Sequence, residues 1–189
     1  MNKLKSTAVI YSTKNLSTKR YAGWLAIKLD ADLYEISDIT INALKKYKTI
    51  IYGGNIVFGK IKNIKFIVDN IDKIKDKKII IFGVGILEEN LDLVEYIKQE
   101  NLLVDKDIYE DIKMFYIQGN FEYEKLDLLD KIIIKNKIRH KEYRGKNISK
   151  YDEEFIKNID ETIENTHKSN IEKILTYLEY ENELISINN

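Results

Sequence analysis

The sequence predicts an α/β domain: a five-stranded parallel sheet covered on both faces by helices. Three observations predict it. Short β-branched runs alternate with helix-period segments over the first two thirds of the chain, and such alternation implies right-handed crossovers between parallel strands. The strongest runs are compact and apolar rather than alternating, as strands buried on both faces must be. The chain has 189 residues, 44% of them apolar, which is enough for one ordinary domain and its core.

The elements read in order as follows. Thr7 to Tyr11 (TAVIY) is the first buried strand. Thr18 to Leu29 follows as a helix, with Tyr21, Leu25 and Leu29 spaced four apart and Trp24 placed in the core. Asp32 to Ile36 (DLYEI) alternates, which suits a strand nearer a sheet edge. Thr49 to Gly53 (TIIYG) is the next buried strand. Ile64, Ile67, Ile71 and Ile74 then fall three, four and three apart and predict an amphipathic helix. Lys78 to Gly83 (KIIIFG) is the strongest strand, Leu91, Val94 and Ile97 mark another helix, and Lys113 to Gln118 (KMFYIQ) is the fifth strand.

The remainder reads as helical. Glu124 to His140 predicts one helix, very apolar at Leu126, Leu128, Leu129 and Ile132 to Ile134. Phe155, Ile159 and Ile163 predict a second, and Ser169 followed by Glu172 is a capping-box signal for a third, with Ile171, Ile174, Leu175 and Leu178 on its buried face. Charge is segregated here. Lys131 to Lys150 carries eight basic residues and one acid, a net of +7, and Tyr151 to Asn189 carries three basic and ten acidic residues, a net of −7.

Composition excludes several functions. Lys+Arg and Asp+Glu are both 31, so net charge gives no reason to expect nucleic-acid binding. Cysteine is absent, which removes disulfides, thiolate metal sites, cysteine-ligated clusters and cysteine nucleophiles. Redox chemistry would therefore need a bound cofactor. His140 and His167 are the only histidines, and proline is absent. No Ser-His-Asp set, metal-ligand spacing or paired carboxylates suit hydrolysis. The 33 Ile and 28 Lys reflect a compositional bias of the coding sequence as much as function. The apolar run Ala8 to Tyr11 is too short for a secretory segment, and Ile79 to Leu87 falls far short of the roughly 20 residues of a membrane span. A cytoplasmic protein is expected.

Ligands of open parallel sheets bind outside the carboxyl ends of the strands, and three loops qualify. Ser12, Thr13, Lys14, Asn15, Leu16, Ser17 and Thr18 bring four hydroxyls and an amide to a helix start. Free N–H groups and the helix dipole there suit a phosphate, and a polar helix cap is the plain alternative. Gly54, Asn55, Ile56, Val57, Phe58, Gly59 and Lys60 nearly match a triphosphate-binding loop. Ile61 stands where the Mg²⁺-binding hydroxyl belongs, which excludes that site. The apolar interior suits a flat ring, or simply burial of Ile56 and Phe58 in the core. Gly83, Val84, Gly85 and Ile86 begin G-x-G without a third glycine, so a dinucleotide site is not indicated. Together the loops suit a mononucleotide with one phosphate and a planar ring.

The run Tyr11-Ser12-Thr13-Lys14-Asn15-Leu16-Ser17-Thr18-Lys19-Arg20-Tyr21-Ala22 resembles the phosphate-loop signature of flavodoxins. Gly53 to Gly59 and Gly83 to Ile86 resemble that family's two isoalloxazine loops. Gly119, Tyr123, Asp130, Lys131 and Ile133 to Lys135 resemble the flavodoxin-domain branch that includes menaquinone-dependent protoporphyrinogen oxidase. The resemblance implies one flavodoxin-like domain over 1–189, with a doubly wound five-stranded parallel sheet of order 2-1-3-4-5. It implies an extra C-terminal helical segment, inserted at about 120–168 before the last helix. It implies FMN as cofactor, its phosphate held by Thr13, Lys14, Asn15, Ser17 and Thr18, its ring flanked by Asn55 to Lys60 and Val84 to Ile86. Leu16 departs from the pattern, because the family usually has Gly there.

By that analogy the Phe58-Gly59 peptide could flip toward the reduced ring, with Phe58 stacking on it. Lys60 at about 8 Å from the ring's negative charge would contribute roughly 2 kcal/mol. The implied function is an FMN electron carrier or flavin-dependent oxidoreductase working with a redox protein or a quinone. A protoporphyrinogen-oxidising enzyme and a flavin-free interaction module on the same fold are the alternatives. Lys131 to Lys150, an apolar helix running into a basic patch, suits an acidic partner or an anionic membrane. The adjacency of +7 and −7 favours the plainer reading, in which the apolar face packs on the sheet and the basic patch pairs with the acidic tail.

Overall fold

The computed structural model describes residues 5–13, 16–102, 112–126, 128–144 and 148–187, without the side chains of 140–144 and 182–187. Thr7–Ser12 forms β1 and Leu16–Lys28 forms α1. Asp32–Glu35 is β2, Ile41–Leu44 is α2, and Thr49–Val57 is β3. Lys60–Ile61 is β4, Lys65–Val68 is α3, and Lys78–Gly85 is β5. Leu91–Leu102 is α4 and Lys113–Gln118 is β6. Leu128–Arg144, Lys150–Lys157 and Glu172–Ile187 are α5, α6 and α7.

The five long strands lie in the order β2-β1-β3-β5-β6, every neighbouring pair parallel. This is the implied 2-1-3-4-5 order, with the two-residue β4 added antiparallel to the end of β3. Alternation along each strand divides the core into two layers. Val9, Tyr11, Ile51 and Ile80 face α1 and α7, where they meet Tyr21, Leu25, Ile171 and Ile174. Ala8, Ile10, Ile50 and Ile81 face the opposite layer, built from 64–74, α4, α5 and α6. One edge behaves as read: DLYEI is the outer strand β2, and it is only partly buried.

Several expectations are corrected. The stripe Ile64–Ile74 is not one helix but α3 followed by a 3-10 turn at Ile71–Lys73. Asn63 in left-handed conformation, with φ of +52°, precedes the segment, and Asp69 and Asn70 break it. All four isoleucines are nonetheless buried, because burial against the sheet constrains which side chains face inward more strongly than how the backbone hydrogen-bonds. The helix expected from Glu124 begins only at Leu128, after a 3-10 turn at Tyr123–Lys125. Phe155, Ile159 and Ile163 do not share a helix. α6 ends at Lys157, and Ile163 exchanges backbone hydrogen bonds of 2.8 and 2.9 Å with Phe121. Ser169 lies within a 3-10 turn, Lys168–Ile171, that leads into α7. Trp24 is half-buried and packs edge-on against Tyr21 at 5.7 Å.

The apolar residues of α5 divide between two faces. Ile134 is buried and Ile138 packs against the core, while Leu128, Leu129, Ile132 and Ile133 stand 73, 68, 44 and 50% exposed. Lys137 and Asp152 join the basic and acidic segments at 2.9 Å. Lys131 instead pairs with Glu124, and Lys150 with Asp92.

Candidate functional site

The three loops meet at the carboxyl end of the sheet. Ser12 pairs in register with Gly54, and Gly54 with Gly83. Their surroundings divide into an open half beside α1 and a closed half beside α6.

The open half is a cleft of about 460 Å³ lined by Leu16, Ser17, Arg20, Asn120, Lys125 and Thr162, among others. Leu16 is the first residue of α1 and is exposed at its mouth. A helical position accepts any ordinary side chain, so the departure from glycine is met by starting the helix two residues before the expected Thr18. Ser12 is buried, its hydroxyl accepting from the Asn63 amide at 2.9 Å. Ser17 is buried and accepts from the Asn120 N–H at 2.9 Å and the Thr166 hydroxyl at 2.7 Å. Thr18 is buried with its hydroxyl unpartnered. Thr13 directly follows β1 and is partly buried, and Lys14 and Asn15 lie outside the described residues. Arg20 belongs to the cleft because it stands four residues after Leu16 on the same helix face, a spacing legible in the sequence. Asn120 and Thr162 come from the distant 120–168 segment, and no local signal announced them.

The closed half was expected to be two loops and is mostly strand. β3 runs through Gly54, Asn55, Ile56 and Val57, and β5 runs through Val84 and Gly85 to just before Ile86. Phe58 and Gly59 are the central residues of a two-residue hairpin turn, with φ of +49° and +72°. Positive φ at both positions matches the twist of the flanking strands. Asn101 holds the hairpin, donating to the Gly59 carbonyl at 2.6 Å and accepting from the Ile61 N–H at 2.9 Å. Lys60 turns outward to an ion pair with Glu100 at 2.9 Å. Asn55 is buried: its amide reaches Asp130 at 3.5 Å while its carbonyl oxygen has no partner. Asp130, also buried, pairs with Lys62 at 3.0 Å.

Aromatic side chains from the 120–168 segment cover this half. Phe155 of α6 lies 5.0 Å from the Phe58 ring and 5.7 Å from Phe121. Tyr151 stacks on Tyr96 at 5.1 Å, and Tyr96 donates to Asp152 at 3.1 Å. Burial first, then the Asp152 charge, pushes the Tyr96 hydroxyl up to about 12. The space left among Phe58, Ile86, Tyr151 and Phe155 is about 20 Å³. That is room for about one water, against the roughly 300 Å³ or more of an ordinary ligand site.

The two halves therefore fit the implied cofactor differently. The cleft at the start of α1 offers a phosphate Arg20 and Lys125, with Glu122 and Glu164 also in its lining, and the unpartnered Thr18 hydroxyl is buried in the same first turn of the helix. A flavin ring does not fit between the hairpin and Ile86 while α6 lies over them. Among the described residues no cluster of three or more His, Asp or Glu could hold a metal ion, and no helix is long and apolar enough to cross a membrane.

No curated protein sequence matches the chain. Solved structures similar to it include the Trp repressor binding protein from Bacillus subtilis, 16% identical over 60% of this chain and 82% of that one, with a TM-score of 0.45. Flavodoxin 2 from Bacillus cereus, in its oxidised form, is 18% identical over 69% and 99%, with a TM-score of 0.39. A flavoprotein from Lactobacillus acidophilus in complex with FMN is 14% identical over 61% and 93%, with a TM-score of 0.38. The profile of the flavodoxin domain matches residues 8–149, from β1 through the end of α5. With three quarters of its length matched, including all six strands and the hairpin, the chain belongs to the flavodoxin-domain family.

Proposed function

We propose that this protein binds FMN and serves as a flavodoxin-like electron carrier or flavin-dependent oxidoreductase. One observation carries the reading beyond family membership. The cleft at the start of α1 sets Arg20 at the helix N-terminus, and the buried Thr18 hydroxyl in the same first turn has no partner. Such a hydroxyl costs about 1–3 kcal/mol unless something bonds it, and a phosphate oxygen is a fitting partner. FMN would supply one- and two-electron transfer. The chain would hold its phosphate with Ser17, Thr18 and the loop before them, and would admit its ring only with α6 displaced. A redox protein or a quinone is the partner class this implies.

The closed half favours a second reading, a flavin-free interaction module on the flavodoxin fold. Phe58, Phe121 and Phe155 pack on one another where the resemblance would put the ring. The narrower reading, a protoporphyrinogen oxidase acting with menaquinone, rests on the tail resemblance at Gly119, Tyr123 and Asp130 to Lys135 alone.

A visible spectrum of the purified protein, followed by FMN titration read by flavin fluorescence, tests these readings. Bound flavin, or quenching with micromolar or tighter affinity, supports the first reading and makes a porphyrinogen oxidation assay the next step. No binding by wild type or by a Phe155→Ala variant overturns it in favour of the second.

A further inference from the structure

We propose that the outward face of α5 docks on an anionic membrane surface. The inference is independent of flavin binding. Residues 128, 129, 132 and 133 fall on one side of the helix by the i, i+4 rule, and all four are exposed leucine or isoleucine. One further turn along the same side stand Lys135, Asn136 and Arg139, also exposed. Asp130 is the one acid between 128 and 139, and it points inward, buried against Lys62 and Asn55. In a chain with equal numbers of acids and bases, an exposed face with four apolar side chains, two cations and no acid is a marked local departure. Lys131 is spent on Glu124 and the Tyr123 ring, so the outward charge comes from Lys135 and Arg139.

The chemistry selects a bilayer over a protein partner. Four side chains on two helical turns fall far short of the about 800 Å² per partner of a stable protein interface. An interfacial helix sinks an apolar row of this kind about 5–10 Å into the headgroup boundary. Cations beside the row then meet lipid phosphates, each strengthening binding roughly fivefold. The helix that carries this face is anchored at the candidate ligand-binding end of the sheet, where Asp130 on its inner side contacts Asn55 of β3.

Cosedimentation of the full chain with vesicles tests the proposal, comparing phosphatidylcholine alone with phosphatidylcholine containing phosphatidylglycerol. The expected result is partition onto the anionic vesicles, at least about tenfold stronger than onto neutral ones and weakened by salt. Leu129→Gln/Ile132→Gln and Lys135→Glu/Arg139→Glu should each lower it by about tenfold or more. All four positions are exposed, so an unchanged far-ultraviolet circular dichroism spectrum is expected. No partition onto anionic vesicles overturns the proposal, as does equal binding to neutral vesicles or binding that neither variant weakens. A wild-type dimer that Leu129→Gln/Ile132→Gln converts to monomer, without vesicle binding, would instead assign the face to a second copy of this chain.

Discussion

The Phe155 ring lies 5.0 Å from that of Phe58, at a tilt of 57°, and this contact closes the hairpin half of the candidate site. Phe58 sits at the tip of a hairpin with φ of +49°, a conformation bulky residues avoid. Packing by Phe155 and the Lys137 ammonium, 5.3 Å above the ring centre, offsets the strain.

Phe155→Ala should therefore do two things. Global stability should fall by about 3 kcal/mol, the cost of a buried aromatic truncation, as read by urea denaturation. FMN affinity should rise by about tenfold or more, because a ring entering the site no longer displaces two aromatic pairs of about 1 kcal/mol each. Flavin fluorescence quenching measures the second effect. Lower stability with unchanged, measurable FMN binding would show that Phe155 does not compete for the site.

Thr18→Val separates the phosphate site from a structural role. Replacing an unpartnered hydroxyl with a methyl of the same shape should stabilise the ligand-free protein by about 1 kcal/mol. It should also weaken FMN binding. A destabilised variant would mean that the hydroxyl is bonded in solution to something other than the ligand.

Gly59→Ala tests the hairpin tip. An added Cβ would meet the Tyr96 ring at 2.8 Å, on a residue with φ of +72°. The ring cannot easily yield, because Tyr96 is stacked on Tyr151 and bonded to Asp152. A loss of about 2 kcal/mol in thermal or urea unfolding is expected, from left-handed strain together with overpacking. Asn101→Ala should loosen the same hairpin without strain, removing its two hydrogen bonds to the hairpin, worth about 1 kcal/mol each, together with one to the Ile97 carbonyl. Faster hydrogen exchange at the Ile61 amide would report it.

Alkaline pH should unfold the protein in a defined window. Burial raises the hydroxyls of Tyr21, Tyr52 and Tyr116 above the usual tyrosine value, and holds Tyr96 up at about 12. Above pH 10 the unfolded chain releases these protons while the folded chain retains them, so the unfolded state binds fewer protons and stability falls as pH rises. The contribution is intact below pH 10 and is lost progressively toward the folded-state values. Tyrosinate absorbance followed beside circular dichroism should show ionisation and unfolding together; independent ionisation of a folded protein would contradict it.

The sheet was legible because its strands are local. TAVIY, TIIYG and KIIIFG carry enough contiguous apolar surface to demand burial and are inner strands of the sheet, while KMFYIQ, also read as a strand, is its partly buried edge. Edge position was legible at DLYEI from its alternation. The Ile64–Ile74 stripe announced which side chains are buried but not the broken backbone that buries them. Period reports the face presented to a neighbour; hydrogen-bonded continuity also depends on Asn and Asp interruptions.

The amino-acid sequence by itself determined the fold class, the buried strands and the clustering of hydroxyls at the start of α1. These follow from runs of side chains close together in the chain, where burial and helix capping act locally. Only the tertiary structure decided that Asn120 and Thr162 join that cleft, that Phe155 closes over Phe58, and that half of the apolar α5 helix faces outward. Each of these depends on where the 120–168 segment lies against the sheet. Contacts between residues 103 and 68 apart in the chain, Ser17 with Asn120 and Lys62 with Asp130, are set by packing of whole layers and leave no periodic trace in the residues that make them.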